Sequence, residues 1–316
     1  MTATTILDEF DNDLQPSAIL PHCQIINPPN LPQSQIEKIK PPYGIFIPLE
    51  KAGEVEFIPT PNWAMTSIEF GEGKNASIVD GYLATHCRLA IIQRSPIEVE
   101  GLDAEGRYYY LGVAYQQGQA TELGQQAKNS PKVGNRSMFR TRTRLLLYFL
   151  DENNNLLHAS PFKLTSRGGF GGSFGAELRE YYDEVNRVFG KLKKKSGMSL
   201  SPSGLARVAV DFNLGYHKPE GRAPFTCVKS RLAPAIDQVG ITKMAERRDY
   251  EVELCGVPIE SLLISSGTQA GQIIMEAHAA HKAFALPNAG IAKVSSPETE
   301  AEEDLAATSP EWDGEF

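Results

Sequence analysis

Residues 136–150 read Arg136-Ser-Met-Phe-Arg140-Thr-Arg142-Thr-Arg144-Leu-Leu-Leu-Tyr-Phe-Leu150, and the turn-rich run Asp151-Glu-Asn-Asn-Asn155 follows them. In the first half, arginines 140, 142 and 144 alternate with Thr141 and Thr143, the period of two that sends neighbouring side chains to opposite faces of a strand. All three guanidinium groups therefore share one face, while Phe139, Leu145 and Leu147 take the other. The strand expected over Thr141 to Leu150 then meets its turn.

Working outward, short apolar segments of strand character recur at Tyr43–Pro48, Ile68–Phe70, Leu89–Gln93, Ile97–Glu100 and Tyr108–Tyr115. Gly, Pro and Asn separate them, a pattern that predicts a meander or small barrel. From Ser173 the period changes: Phe174, Leu178, Tyr181, Val185, Val188 and Leu192 recur at three and four, which predicts an amphipathic helix reaching about Lys194. Strands resume at Leu205–Leu214, Thr226–Lys229 and Tyr250–Leu254. A second helix is expected over Thr268–Phe284, burying Ile273, Ala277, Ala280 and Phe284. The fold class is therefore α+β: a β-rich, barrel-like body, with the oligonucleotide-binding barrel as one form of it, carrying two main helices. In domain terms, residues 1–19 form a disordered acidic arm and 20–290 the body, with a division into two subdomains near 167–200 as one reading. Residues 291–316 form a disordered acidic tail.

The chain has 316 residues, large enough to bury a core without disulfides or metals, and a formal net charge of −8. That average hides a separation. Residues 297–316 hold eight carboxylates and no Lys or Arg, so the remaining 296 residues carry 31 basic and 31 acidic side chains. Residues 128–248 hold 22 Lys and Arg against 10 Asp and Glu. The protein is a basic module with acidic ends, and a basic module suits a polyanion.

Three groups of residues carry that chemistry. Arg140, Arg142 and Arg144, with Arg136 just ahead, repel one another at strand spacing, and phosphate groups relieve the repulsion through the planar fork of each guanidinium. An edge strand charged against aggregation, or arginines paired with carboxylates elsewhere, is the competing reading. Ser166-Arg167-Gly168-Gly169-Phe170-Gly171-Gly172-Ser173-Phe174-Gly175 is expected as a glycine loop ahead of the helix. Its backbone N–H groups and Arg167 could cradle an anion, or the loop could simply be a tight strand-to-helix junction. Phe170 is a base-stacking candidate there, with Gly169 and Gly171 as backbone contacts. Lys193, Lys194 and Lys195 close the helix and extend the basic surface, and several tyrosines (Tyr108, Tyr109, Tyr110, Tyr115, Tyr148, Tyr181, Tyr182, Tyr216) supply further stacking groups.

The chain ends Ser309-Pro310-Glu311-Trp312-Asp313-Gly314-Glu315-Phe316. This tip resembles the acidic, Phe-terminated ends of bacterial and phage single-stranded DNA-binding proteins. The resemblance implies that Trp312, Asp313, Glu315 and Phe316 dock a replication or repair protein, and that the tail competes with DNA for the basic groove. It covers about eight residues, and it departs from the bacterial pattern in placing Pro310 six residues before the final Phe. Separately, Leu20-Pro-His-Cys-Gln-Ile-Ile-Asn-Pro-Pro-Asn-Leu-Pro32 and Pro41-Pro-Tyr-Gly-Ile-Phe-Ile-Pro48 resemble an uncharacterised cyanobacterial family, a domain of unknown function spanning most of the chain. That resemblance implies a bacterial, cytoplasmic setting and no particular activity.

Other classes lack support. The longest apolar run, Leu145–Leu150, is far short of the roughly 20 residues a bilayer span needs, and the acidic amino terminus is unlike a secretory signal. The four cysteines form no CxxC pair, and the dipeptides His22-Cys23 and His86-Cys87 point to opposite faces of a strand, so no metal is expected. His278 and His281, one helical turn apart, lack a third ligand. The glycine loop has no Gly-Lys-Ser/Thr, and Phe174 stands where a dinucleotide fingerprint needs glycine, so no cofactor is expected. Asp211, Glu220, Glu251 and Glu253 are the carboxylates a metal-dependent nuclease would call on, but no catalytic motif surrounds them. The sequence therefore points to a cytoplasmic, sequence-tolerant protein binding single-stranded DNA or RNA, in which a homo-oligomer is compatible with the charge pattern. A non-enzymatic structural or adaptor protein of a mobile-element or defence system is the alternative, and a nucleic-acid-processing enzyme the third.

Overall fold

A computed structural model describes residues 20–36, 43–71, 76–134, 136–195, 197–236, 241–247 and 250–287. Both acidic ends, including Trp312, Asp313, Glu315 and Phe316, lie outside the described residues. The body is mixed α+β and strand-dominated, built on a 13-stranded sheet curled into a half-barrel. Its strands are β1 (His22–Ile26), β2 (Gly44–Pro48), β3 (Ala64–Phe70), β4 (Ser77–Ala84), β5 (His86–Arg94), β6 (Glu98–Leu102), β7 (Tyr108–Val113), β8 (Phe139–Leu150), β9 (Phe162–Arg167), β10 (Ala209–His217), β11 (Phe225–Ala235), β12 (Thr242–Arg247) and β13 (Tyr250–Pro258). Two helices matter most, α1 (Gly168–Leu192) and α2 (Gln269–Ala280). The spatial order is β12-β13-β11-β10-β5-β8-β9-β1-β2-β4-β3, with β6 pairing β8 and β7 as a side ribbon. One sheet thus runs continuously across residues 167–200, because β5 pairs β8 on one side and β10 on the other.

β5 and β8 sit at the centre, and their composition follows from being covered on both faces. Leu145, Leu147 and Phe149 with Leu89 and Ile91 pack under α1, while Leu146, Tyr148 and Leu150 with Ala90 and Ile92 pack under α2. An unbroken apolar run is what a strand buried on both sides requires. The apolar stripe of α1, namely Phe170, Phe174, Leu178, Tyr181, Val185 and Val188, lies in the larger core cluster. Buried ion pairs fasten the sheet to the same helix: Arg231 of β11 reaches Glu177 at 2.9 Å and Glu184 at 2.8 Å, and Arg247 of β12 joins Glu177 and Glu180.

Three elements differ from expectation. α1 begins at Gly168, six residues before the first periodic position, Phe174, so the expected glycine loop is helix. Packing overrides glycine's poor helix propensity here, which is worth about 1 kcal/mol per residue against Ala. Gly169 lies so close to Phe225 that a Cβ would meet the ring at 2.4 Å, and Phe170 and Phe174 stack at 5.3 Å between centroids inside the core. Gly168, at φ +52°, turns the chain directly from β9 into the helix. The second helix is shorter than expected: Thr268 caps it by accepting from the Gly271 N–H, Ile274 is its buried anchor with the expected Ile273, Ala277 and Phe284 packed partly buried beside it, and Ala280 is exposed. Finally, β1, β4, β9 and β12 fall in segments whose periodicity is too weak to signal strands, and pairing with neighbours organises them.

Candidate functional site

The arginine strand is the first half of β8, gripped between β6 and β9. Antiparallel register sets Arg140 opposite Glu100 and Arg142 opposite Glu98 on β6, and sets Arg142 opposite Arg167 on β9. Glu98 and Glu100 are two apart on their strand, so both carboxylates point to the face that carries the guanidinium groups. The result is a fused network. Arg140 Nε donates to Glu100 at 2.7 Å, and Arg142 Nε donates to Glu98 at 2.8 Å while also pairing Glu100. Arg144 donates to Glu98 at 2.7 Å, and Arg167 approaches Glu100 at 3.6 Å. Glu98 is 0% exposed and Glu100 2%, whereas the four arginine side chains keep between 9% and 22%.

Aromatic rings complete the packing. The Arg140 guanidinium lies 3.4 Å from the Tyr108 ring centroid and Arg136 4.8 Å from it, while Arg144 sits 5.0 Å from Phe284. Burial pushes the Glu100 carboxyl upward, but Arg167, Arg140 and Arg142 together outweigh it and hold the group below the ordinary carboxylate value. The alternating arginines are thus not a bare phosphate-binding face. Among the described residues their ion-pair partners are two buried glutamates, which the four arginines share at one end of the sheet. Arg167 also lines a cleft of about 110 Å³ with His22, Gln24 and Thr165.

The remaining sequence-predicted residues scatter. Gly169 and Phe170 are buried in the first turn of α1, and Gly171 lies against Ser166, so this segment offers packing rather than an open loop. Lys193, Lys194 and Lys195 lie exposed past the far end of α1, separated from Arg167 by 25 residues of helix, about 37 Å at 1.5 Å per residue. Arg136 reaches the Gly106 carbonyl. Of the tyrosines, Tyr108 is buried and donates to the Ser137 carbonyl, Tyr181 donates to the Ala209 carbonyl, and Tyr148 stacks on His158; Tyr109 at 49% and Tyr115 at 42% are exposed.

The carboxylate suggested for catalysis is engaged. Asp211 takes His86 Nε2 at 2.9 Å on one oxygen and Arg88 at 3.0 Å on the other, and this contact raises the His86 pKa, partly opposed by burial. Among the described residues, no group of three or more His, Cys, Asp or Glu could hold a metal ion. A cleft of about 580 Å³ lies elsewhere, between the Asn153–Asn155 turn and the start of α2. Its polar groups are mainly neutral amides and hydroxyls (Asn153, Asn155, Ser265, Thr268, Gln269), with Glu56 as a carboxylate at the edge.

Glu98 and Glu100 are the functional residues that sequence reading passed over. The signal was present: acidic side chains at i and i+2 in the strand segment 97–100 complement arginines at i, i+2 and i+4 in another. Only register says that those two strands are neighbours.

Residues 17–202 match the protein family described as Domain of unknown function (DUF5895), a span that includes β1 to β9, all of α1 and the entire arginine–glutamate network. No curated protein matches the chain, and no solved structure does.

Proposed function

Because the chain belongs to the DUF5895 family, whose members share a domain rather than a known activity, we propose a function from the site itself: sequence-tolerant binding of single-stranded nucleic acid. The observation that carries the reading is that, among the described residues, four guanidinium groups share two carboxylates at the β6–β8–β9 end of the sheet. The glutamates fix the forks in position, which lowers the ordering cost of meeting a phosphate, and the guanidinium charge supplies the attraction. Exposed Tyr109 on the adjoining β7 offers a stacking face. The reading treats the curled sheet as a relative of the oligonucleotide-binding barrel, with the strand crossing its arginine end.

The tail enters as a competitor. Phe284, packed on Arg144, lies three residues before the last described residue, so the described part of the chain ends close in sequence to a residue of the arginine network. The eight carboxylates of residues 297–316 then act as an internal anion for the same end of the sheet, and Trp312, Asp313, Glu315 and Phe316 dock a replication or repair protein when the strand displaces them. A cytoplasmic setting goes with this reading.

Fluorescence polarisation tests it, with labelled oligothymidylate, duplex DNA and RNA titrated against the full chain and a chain ending at residue 296. Salt-sensitive binding that tightens on removing the tail is the expected result. Absence of binding by both forms at low salt overturns the reading.

A further inference from the structure

On the opposite face of the sheet from the arginine–glutamate network, Arg94 ends β5 beneath helix α1. Its partner across the strand pair is Leu145, the neighbour of Arg144, so the two arginines project to opposite sides of adjoining strands. Arg94 is partly buried, yet among the described residues its side chain forms neither a hydrogen bond nor an ion pair. Burial lowers the Arg94 pKa, and the helix residues whose charge acts on it are Tyr182, which raises it, and a second cation, Arg179, which lowers it. Gly175, Arg179 and Tyr182 follow the spacing i, i+4, i+7, so they form one stripe of α1 facing Arg94. A Cβ on Gly175 would lie 3.9 Å from the Arg94 guanidinium, and glycine keeps that space open.

Among the described residues, no carboxylate pairs with either arginine. Glu177, Glu180 and Glu184 are engaged by Arg231 and Arg247. Asp183, one turn beyond Arg179, makes no ion pair with it. A half-buried guanidinium costs free energy unless its donors are met, and a second arginine nearby raises that cost. A fork of N–H donors, a second cation on an exposed helix face and a tyrosine hydroxyl are the groups that a tetrahedral oxyanion takes.

We propose that Arg94, Arg179 and Tyr182 form a binding site for a single phosphate group. The site is distinct from the network around Glu98 and Glu100 and does not depend on the function proposed for it. The phosphate can come from a free ion or from the phosphodiester of a strand that wraps the sheet end, and the experiment separates the two.

Thermal unfolding of the full chain is followed in orthophosphate against chloride at matched ionic strength, and in a short unlabelled oligothymidylate. Phosphate at ten times its dissociation constant is expected to raise the midpoint by about 3 °C. Arg94→Met, which keeps the stem and removes the unmatched charge, is expected to unfold no lower than wild type without phosphate and to lose the phosphate response. Arg179→Ala, on the exposed face of the helix, is expected to need several-fold more phosphate for the same rise, and it carries the test if Arg94→Met does not fold. An Arg94-dependent rise with orthophosphate alone identifies the free ion as the ligand; one with the oligonucleotide identifies the phosphodiester. An equal phosphate response in wild type and the variants overturns the proposal, as does no response to either ligand. Oligonucleotide binding that survives Arg94→Met unchanged, without any phosphate response, refutes this site while leaving the function proposed for the opposite face intact.

Discussion

Replacing Glu98 by Gln separates the two roles assigned to the arginine–glutamate network. The side chain is 0% exposed and its carboxylate serves Arg142 Nε at 2.8 Å and Arg144 at 2.7 Å. Gln has nearly the same shape, but its one neutral acceptor cannot satisfy both guanidinium groups, and its NH₂ points donors at donors. Removing one partner of a buried ion pair costs about 3–5 kcal/mol because the other charge is left unmatched. The remaining acceptor and the partial exposure of the arginines place Glu98→Gln near the lower end, about 3 kcal/mol. At about 2–4 °C per kcal/mol for a domain of this order of size, the midpoint falls by about 6–12 °C in a calorimetric or circular dichroism melt. The same change raises the net positive charge by one, so the salt dependence of single-strand binding should steepen by about 0.7 in the log–log slope. The double variant Glu98→Gln/Arg142→Gln recovers part of the lost stability, since one of the stranded charges goes with it. A fall of less than about 2 °C refutes the claim that Glu98 holds the strand arginines; a normal fall in stability with an unchanged salt slope refutes the claim that their charge meets a ligand.

Other outcomes follow from the same geometry. His158 is buried among Phe57, Tyr148, Phe149 and Phe162, its Nε2 accepts the Phe149 N–H, and burial lowers its pKa from 6.5 to about 4. The unfolded chain therefore takes up this proton near pH 6.5 while the folded chain refuses it. Stability is full above pH 6.5 and declines by about 3 kcal/mol as pH falls to about 4; denaturant titrations across that range should show the slope, and His158→Gln should flatten it. Glu100, held below its ordinary 4.5, adds stability that is present above that pH and is lost as pH falls through its lower folded value, so acid unfolding of Arg140→Gln should begin at higher pH than in wild type. Gly169→Ala gains about 1 kcal/mol of helix propensity but drives a methyl into the Phe225 ring; overpacking of about 1–3 kcal/mol prevails, and a melt no lower than wild type contradicts this.

Much of the architecture could be read before any coordinates. The central strand 139–150, its turn at 151–155 and the α1 stripe from Phe174 to Val188 are all present as periodicity, because each is a local alternation or helical repeat. The glycine segment 168–175 could not be read this way. Glycine composition speaks for a loop, whereas the contacts of Gly169 with Phe225 and of Phe170 with Phe174 are made between distant segments or within the core they create. Lys193–Lys195, read as extending the basic surface, lie a full helix away from Arg167.

The sequence alone determined which residues carry charge and on which face of their own strand they stand: Arg140, Arg142 and Arg144 share a face because a strand repeats every two residues, whatever surrounds it. It also determined that the body is basic relative to its tail, since that is a count along the chain. Which charges remain unanswered was decided only by tertiary structure. Register across β6 and β8 delivers two buried glutamates to the arginines that share one strand face, and among the described residues the Arg94 side chain under α1 meets no carboxylate. Pairing between side chains some 40 residues or more apart depends on through-space distance, and strand periodicity carries no information about which strand lies next door.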